Sequence, residues 1–293
     1  MENPTDPAQT VWINPIGGLG DTLMVSGVLK LLYDKDTSRR FNLIRRTNYL
    51  GILKGHPAIA RIGHPPRSAS IVGTDYWRVE DLGAGEQRGF QILARMFGLS
   101  TPVEERLFLP GGLEDDPGLW GLIPWREKNI LIAPTSASPR KEMHPSLWHH
   151  LVDLLRQDGA LVVQVGRLSD VHIRNTYSLL GLTTPRNLIS LIRKFDLVVT
   201  SDNFIMHAAH LVGAKAVVLW GPTDHETYGY PEQIHLQCPK PCSPEVECLK
   251  PKKGNRTYLT PCPLGQQHCM SQISPEAIHE AIQKLILRRV QIF

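Results

Sequence analysis

No apolar run in the 293 residues reaches the 18 or so that a membrane-spanning helix needs, so a transmembrane anchor is not expected. The opening stretch MENPTDPAQT lacks the basic n-region and apolar h-region of a secretory signal, and the expected location is the cytoplasm. Cysteine is missing from the first 237 residues, which excludes a disulfide framework for most of the chain. Low-complexity tracts and short tandem repeats are absent as well. A formal charge of +4 and a pI of about 8.8 fall short of the clustered basic stripe of a nucleic-acid binder, and no nucleic-acid partner is expected. An anionic small molecule or lipid suits that mild charge.

What is present is ordinary globular material, 42% hydrophobic and 20% charged, at a length that makes two domains the default. Residues 11–15 (VWINP) read as a buried strand running into a glycine-rich turn. Val25, Val28, Leu29 and Leu32 then fall on one face of a helix. Apolar runs at 41–44 and 69–72, a helical stretch near 87–97 and a strand at 107–109 complete an α/β first half. Residues 110–127 (PGGLEDDPGLWGLIPWRE) break elements, and the boundary is placed there, giving domains 1–125 and 126–293.

The second half repeats the pattern. Strands are expected at 129–133, 161–165, 197–200 and 216–220, with helices carrying Trp148, Leu151, Val152 and Leu155, near 187–194, and from about 203. Ser274-Pro275 opens a last helix with Ile278, Ile282, Leu285 and Ile286 on one face. Strands alternating with helices imply doubly wound, parallel, Rossmann-like sheets.

Two segments carry chemistry. In Gly17-Gly18-Leu19-Gly20-Asp21 the glycines allow close backbone approach to a ligand, and the spacing fails the dinucleotide G-x-G-x-x-G pattern. Asp21 is either a first-turn acid favoured by the helix dipole or a general base for a sugar hydroxyl. The segment SDNFIMHAAHLVGAKAVVLWGPTD places Asp202 at a strand end, His207 one turn into the next helix, and Gly221-Pro222-Thr223-Asp224 after the following strand. Ligands of doubly wound sheets bind outside the carboxyl ends of the strands.

GGLGDTLMVSGVLKLL resembles the opening of the heptosyltransferases of glycosyltransferase family 9. SDNFIMHAAHLVGAKAVVLWGPTD resembles their D-x-G-x-x-H-x-A-A...G-P-T-D segment. GLTTPRNLISLIRKFDLVV and LVVQVGRLSD match the segments that precede it, in the same order. The resemblance implies a GT-B fold, two Rossmann-like domains facing a cleft, with the acceptor bound mainly by the first and the sugar nucleotide by the second. It implies inverting transfer of heptose from ADP-heptose to a saccharide acceptor, such as lipopolysaccharide inner core, without a catalytic metal.

Carried over by position, Asp21 matches the general base and Lys141, seven residues before Trp148, a contact to donor phosphate or sugar. Gly20, Asp202, Asn203, His207, Gly221, Pro222, Thr223 and Asp224 are expected on the donor side, with hydroxyls from Ser136 and Ser138. Gly17 and Gly18 are expected on the acceptor-side loop. The chain departs from the family pattern at Phe204 (family glycine), Met143-His144 (tryptophan-proline) and His225 (proline), and its first half is short. Another nucleotide sugar, a lipid-linked or protein acceptor, and an inactive nucleotide-binding scaffold therefore stay open.

All five cysteines lie between 238 and 269. Cys238, Cys242, Cys262 and Cys269 resemble a C-terminal cluster of many heptosyltransferases and suit a structural Zn or Fe ion, with Cys248 spare and His235 or His268 as substitutes. Lys240, Lys250, Lys252, Lys253, Arg256, Arg288 and Arg289 can meet an anionic lipid at the cytoplasmic face of the inner membrane, although a solvated basic face is the simpler reading.

Overall fold

The computed structural model describes residues 11–46, 48–78, 88–238, 260–262, 264–265 and 269–287. The chain divides into two compact units, Met1–Gly112 and Leu113–Phe293.

In the first unit β1 (Trp12–Asn14) leads into α1 (Leu19–Lys35), followed by β2 (Phe41–Ile44), β3 (Ile59–Gly63), β4 (Ile71–Gly73) and α2 (Gly89–Met96). The strands form one sheet in the order β3-β2-β1-β4, and every pairing is parallel. Val25, Val28, Leu29 and Leu32 are buried as their spacing requires. No strand forms at 107–109. Ser26 of α1 donates its hydroxyl to the Phe108 carbonyl at 2.7 Å, and the Lys30 ammonium lies 5.4 Å from the Phe108 ring centre. The segment thus buries Leu107 and Leu109 while bound to a helix rather than to a sheet edge.

The second unit runs α3 (Pro117–Gly121), β5 (Asn129–Ala133), α4 (Pro145–Gln157), β6 (Leu161–Gln164), β7 (Tyr177–Ser178), α5 (Pro185–Ile192), β8 (Leu197–Ser201), α6 (Phe204–Val212), β9 (Ala216–Trp220), α7 (His225–Tyr228), β10 (Ile234–Gln237) and α8 (Pro275–Leu287). Its sheet has the order β10-β9-β8-β5-β6-β7, parallel throughout. Alternate strand residues serve opposite faces. Ile130, Ile132, Val162, Leu197, Val199, Val217 and Leu219 pack with Trp148, Leu151, Val152 and Leu155 of α4 and Ile278 and Ile282 of α8. The stretch after Gly112 belongs to this unit: Asp116 caps α3 and accepts from Asn187 of α5, and Arg193 pairs with Asp115 at 2.9 Å.

Trp148 sits fully buried in that core, and its indole N–H has no partner among the described residues. Trp148→Ala should cost about 3–5 kcal/mol of unfolding free energy. Trp148→Phe, which discards an unpaired polar group along with some volume, should cost less than half of that in urea titrations.

Candidate functional site

The carboxyl ends of neighbouring parallel strands gather the candidate residues, separately in each unit. In the first unit the loop after β1 lies beside the loop after β4. Thr74 clamps them, accepting from the Ile16 N–H at 2.7 Å and donating to the Ile16 carbonyl at 3.1 Å. Asp21 lies in the first turn of α1. It accepts from the Gly18 N–H at 2.6 Å through Oδ2 and from the Tyr76 hydroxyl at 3.0 Å through Oδ1. Gly17 takes φ +112°, and a Cβ there would stand 2.3 Å from Oδ2 of Asp21. Glycine is therefore required both for the turn and for the carboxylate that leans over it. Gly20, expected with the donor residues, is buried in this same first turn.

In the second unit the loops after β5, β8 and β9 adjoin because those strands do. Lys141, on a 3-10 turn (Pro139–Lys141), places Nζ 2.6 Å from Oδ2 of Asp202, and the Thr223 hydroxyl donates to the same oxygen at 2.7 Å. Ser136 donates its hydroxyl to the Asp202 carbonyl at 3.1 Å. Burial opposes charge on Asp202, but the ammonium of Lys141 and its hydrogen bond, together with the Thr223 hydroxyl, hold the carboxyl below the usual carboxylate range. His207 is also buried, and desolvation drives its pKa down to about 4 against the pull of Asp202. It is a neutral ring at pH 7.

The remaining expected residues serve the loops. Asn203 caps α6 by accepting from the Ile205 N–H at 2.8 Å and stitches the β5 loop by donating to the Thr135 carbonyl at 2.8 Å. Ser138 caps the Lys141 turn. Asp224 caps α7 and bonds Thr227 at 2.8 Å, apart from the Asp202 cluster. Phe204 is the first residue of α6 and half-buried. Pro222 follows Gly221 after β9.

Cys238 and Cys269 converge on Gly221. The Cys238 Sγ lies 3.7 Å from the Gly221 carbonyl, and the Cys269 Sγ would stand 3.0 Å from a Cβ added to that glycine. Cys262 is buried too, whereas Cys242, Cys248 and His268 lie outside the described residues. Both ring nitrogens of His235 are engaged, Nδ1 by the Trp220 indole at 3.0 Å and Nε2 by the Tyr230 carbonyl at 2.9 Å, so it is no substitute ligand. Among the described residues no three His, Cys, Asp or Glu side chains cluster as a metal site, and no helix is long and apolar enough to cross a membrane.

Sequence reasoning missed several partners. Tyr76 reaches Asp21 across 55 positions. Glu142 accepts from the Ser136 N–H at 2.8 Å, with its pKa raised by burial. Asp170, after β6, accepts from Thr135 at 2.6 Å. Tyr76 and Glu142 lie in no motif, Asp170 closes the LVVQVGRLSD segment without having been singled out, and only the tertiary fold brings them in.

Two parallel α/β units with polar clusters at the strand ends match the GT-B fold. The family model for glycosyltransferase family 9 (heptosyltransferase) matches residues 87–255, more than half of the chain, and the chain belongs to that family. Its fold is similar to that of a family 9 glycosyltransferase from Veillonella parvula DSM 2008 (15% identity, TM-score 0.63, 96% of this chain and 98% of that one). It is also similar to the Escherichia coli ADP-heptose lipopolysaccharide heptosyltransferase II (13%, 0.64, 96% and 99%). The iron-containing dodecameric glycosyltransferase TibC from enterotoxigenic E. coli H10407 matches as well (15%, 0.69, 94% and 78%). No curated protein matches the chain by sequence.

The lowered pKa of His207 has a consequence for stability. Unfolded, the ring takes a proton below about pH 6.5; folded, it resists protonation until about pH 4. Its contribution is thus intact above pH 6.5 and declines between those values, by on the order of 3 kcal/mol. His56, also held low by burial, acts with the same sign. Urea unfolding at pH 7 and pH 4.5 should show a smaller loss for His207→Gln than for the parent chain; equal losses would refute the assignment.

Proposed function

We propose that this glycosyltransferase moves heptose from ADP-heptose to a saccharide acceptor with inversion, using Asp21 as the general base and no catalytic metal. The observation that carries the donor assignment is the convergence of Lys141, Thr223 and His207 on Asp202 at the strand ends of the second unit. The N-terminus of α6 adds main-chain N–H groups and the positive end of a helix dipole beside Asp202, an arrangement suited to a diphosphate. Proteins sharing this fold include an ADP-heptose lipopolysaccharide heptosyltransferase and a heptosyltransferase in complex with ADP-D-beta-D-heptose, which supports the same choice.

The acceptor hydroxyl gives its proton to Asp21 as its oxygen attacks the anomeric carbon, and the bond to the diphosphate breaks with its electrons leaving on the phosphate oxygen. Charge developing on that leaving group is met by Lys141 and the α6 N–H groups. The Gly18 N–H and Tyr76 hydroxyl fix the orientation of the Asp21 carboxylate. A cavity of about 510 Å³ in the first unit, lined by Arg45, Lys54 and Arg61 among apolar residues, suits an anionic saccharide such as lipopolysaccharide inner core. That acceptor would place the enzyme in the cytoplasm, against the inner membrane.

Asp21→Asn should lower transfer from ADP-heptose by at least about a hundredfold while leaving ADP affinity by calorimetry unchanged. Undiminished turnover would refute the base assignment.

A Zn or Fe ion on the cysteine cluster belongs to the same reading. Cys238 and Cys269 fit it, being thiols from distant positions brought against one residue; Cys242 and Cys262 are the other two ligands of this reading, although Cys262 does not cluster with that pair in the structure. Such an ion would hold the Gly221 to Asp224 loop in place. Elemental analysis of protein never exposed to chelator should find about one Zn or Fe per chain; the absence of both overturns the metal site.

A further inference from the structure

His207 is tied to a line of rings that the proposed chemistry leaves unused. The Trp220 indole donates to His235, and His235 donates to the Tyr230 carbonyl. The Tyr230 hydroxyl lies 2.7 Å from Nδ1 of His207. His210 stacks on Tyr230 with ring centres 3.8 Å apart and meets Glu232 at 2.5 Å. Gln233 donates to the Met206 carbonyl at 2.8 Å, fastening the segment before β10 to α6. Tyr230 is 2% exposed and His207 8%, so their contact is sheltered from water.

The direction of that contact follows from the groups involved. A phenol is the better donor of the two and an imidazole nitrogen the better acceptor. A neutral ring carries one proton, and a ring that accepts at Nδ1 must hold it on Nε2. No described residue bonds Nε2. The charged and titratable groups acting on the ring are Asp202, Lys141 and His210.

We infer that Tyr230 is a positioning residue of the donor site: its hydroxyl donates to Nδ1 of His207 and fixes the proton on Nε2, as an N–H donor for the diphosphate of a nucleotide sugar. Only the last clause rests on the donor-site reading above. Without the hydroxyl the ring samples both tautomers, and the form with a bare Nε2 turns a lone pair toward phosphate oxygens.

Nitrogen NMR of the full chain labelled with 15N-histidine reads the tautomer directly. His207 should be protonated on Nε2 in the parent chain and a mixture in Tyr230→Phe, and the ADP dissociation constant should rise about tenfold in that variant. A parent ring protonated on Nδ1, or a Tyr230→Phe chain that binds ADP as tightly as the parent, overturns the inference. The parent tautomer alone decides the Tyr230–His207 part if the variant fails to fold. A parent chain that binds no ADP yet holds the Nε2 tautomer overturns the donor-site reading and upholds the orientation of His207 by Tyr230.

Discussion

A largely buried lysine–aspartate pair is the constraint around which the second unit is arranged. Lys141 and Asp202 come from loops after different strands, and they meet only because β5 and β8 are adjacent and in register. Removing one partner of such a pair strands the other charge, a loss of about 3–5 kcal/mol, whereas keeping both adds little net stability. The pair is therefore better understood as charge held ready than as a fastening. In the proposed donor site, an ammonium already drawn out of bulk water interacts more strongly with phosphate than a solvated one would.

The first unit solves a different problem with similar means. A carboxylate in the first turn of a helix is ordinarily a cap, and Asp21 does accept from the Gly18 N–H. What separates it from a simple cap is Tyr76, buried and reaching it from the loop after β4. Gly17, having no Cβ, leaves room for that carboxylate to lean over the turn. Support from two directions orients the carboxylate, as the proposed role of base requires.

Much of this was legible in the sequence. The strands at 129–133 and 216–220 are continuous apolar runs buried on both faces, and α1 announced itself through Val25, Val28, Leu29 and Leu32. The edge strands β3 and β10 were not, because partly exposed strands mix Arg61, His235 and Gln237 among their apolar residues and lose the signal. Leu107 and Leu109 alternate as a strand should, but the partner they found was α1, and periodicity cannot name a partner. The motifs located Asp21, Lys141, Asp202 and His207. Tyr76 and Tyr230, which hold two of them, are ordinary tyrosines until the fold closes.

Arg140, next to Lys141, is buried and gives its guanidinium to the carbonyl and hydroxyl of Thr260, 120 positions further on. The turn that presents Lys141 is thus clamped by a stretch synthesised long after it. During translation the strands β5 to β9 can pair and bury their apolar faces first, while the Lys141 turn stays unclamped until Thr260 has left the ribosome. Sheet formation and closure of the turn become successive events, and a chain cut short before that threonine would keep the scaffold of the second unit while lacking the clamp beside Lys141.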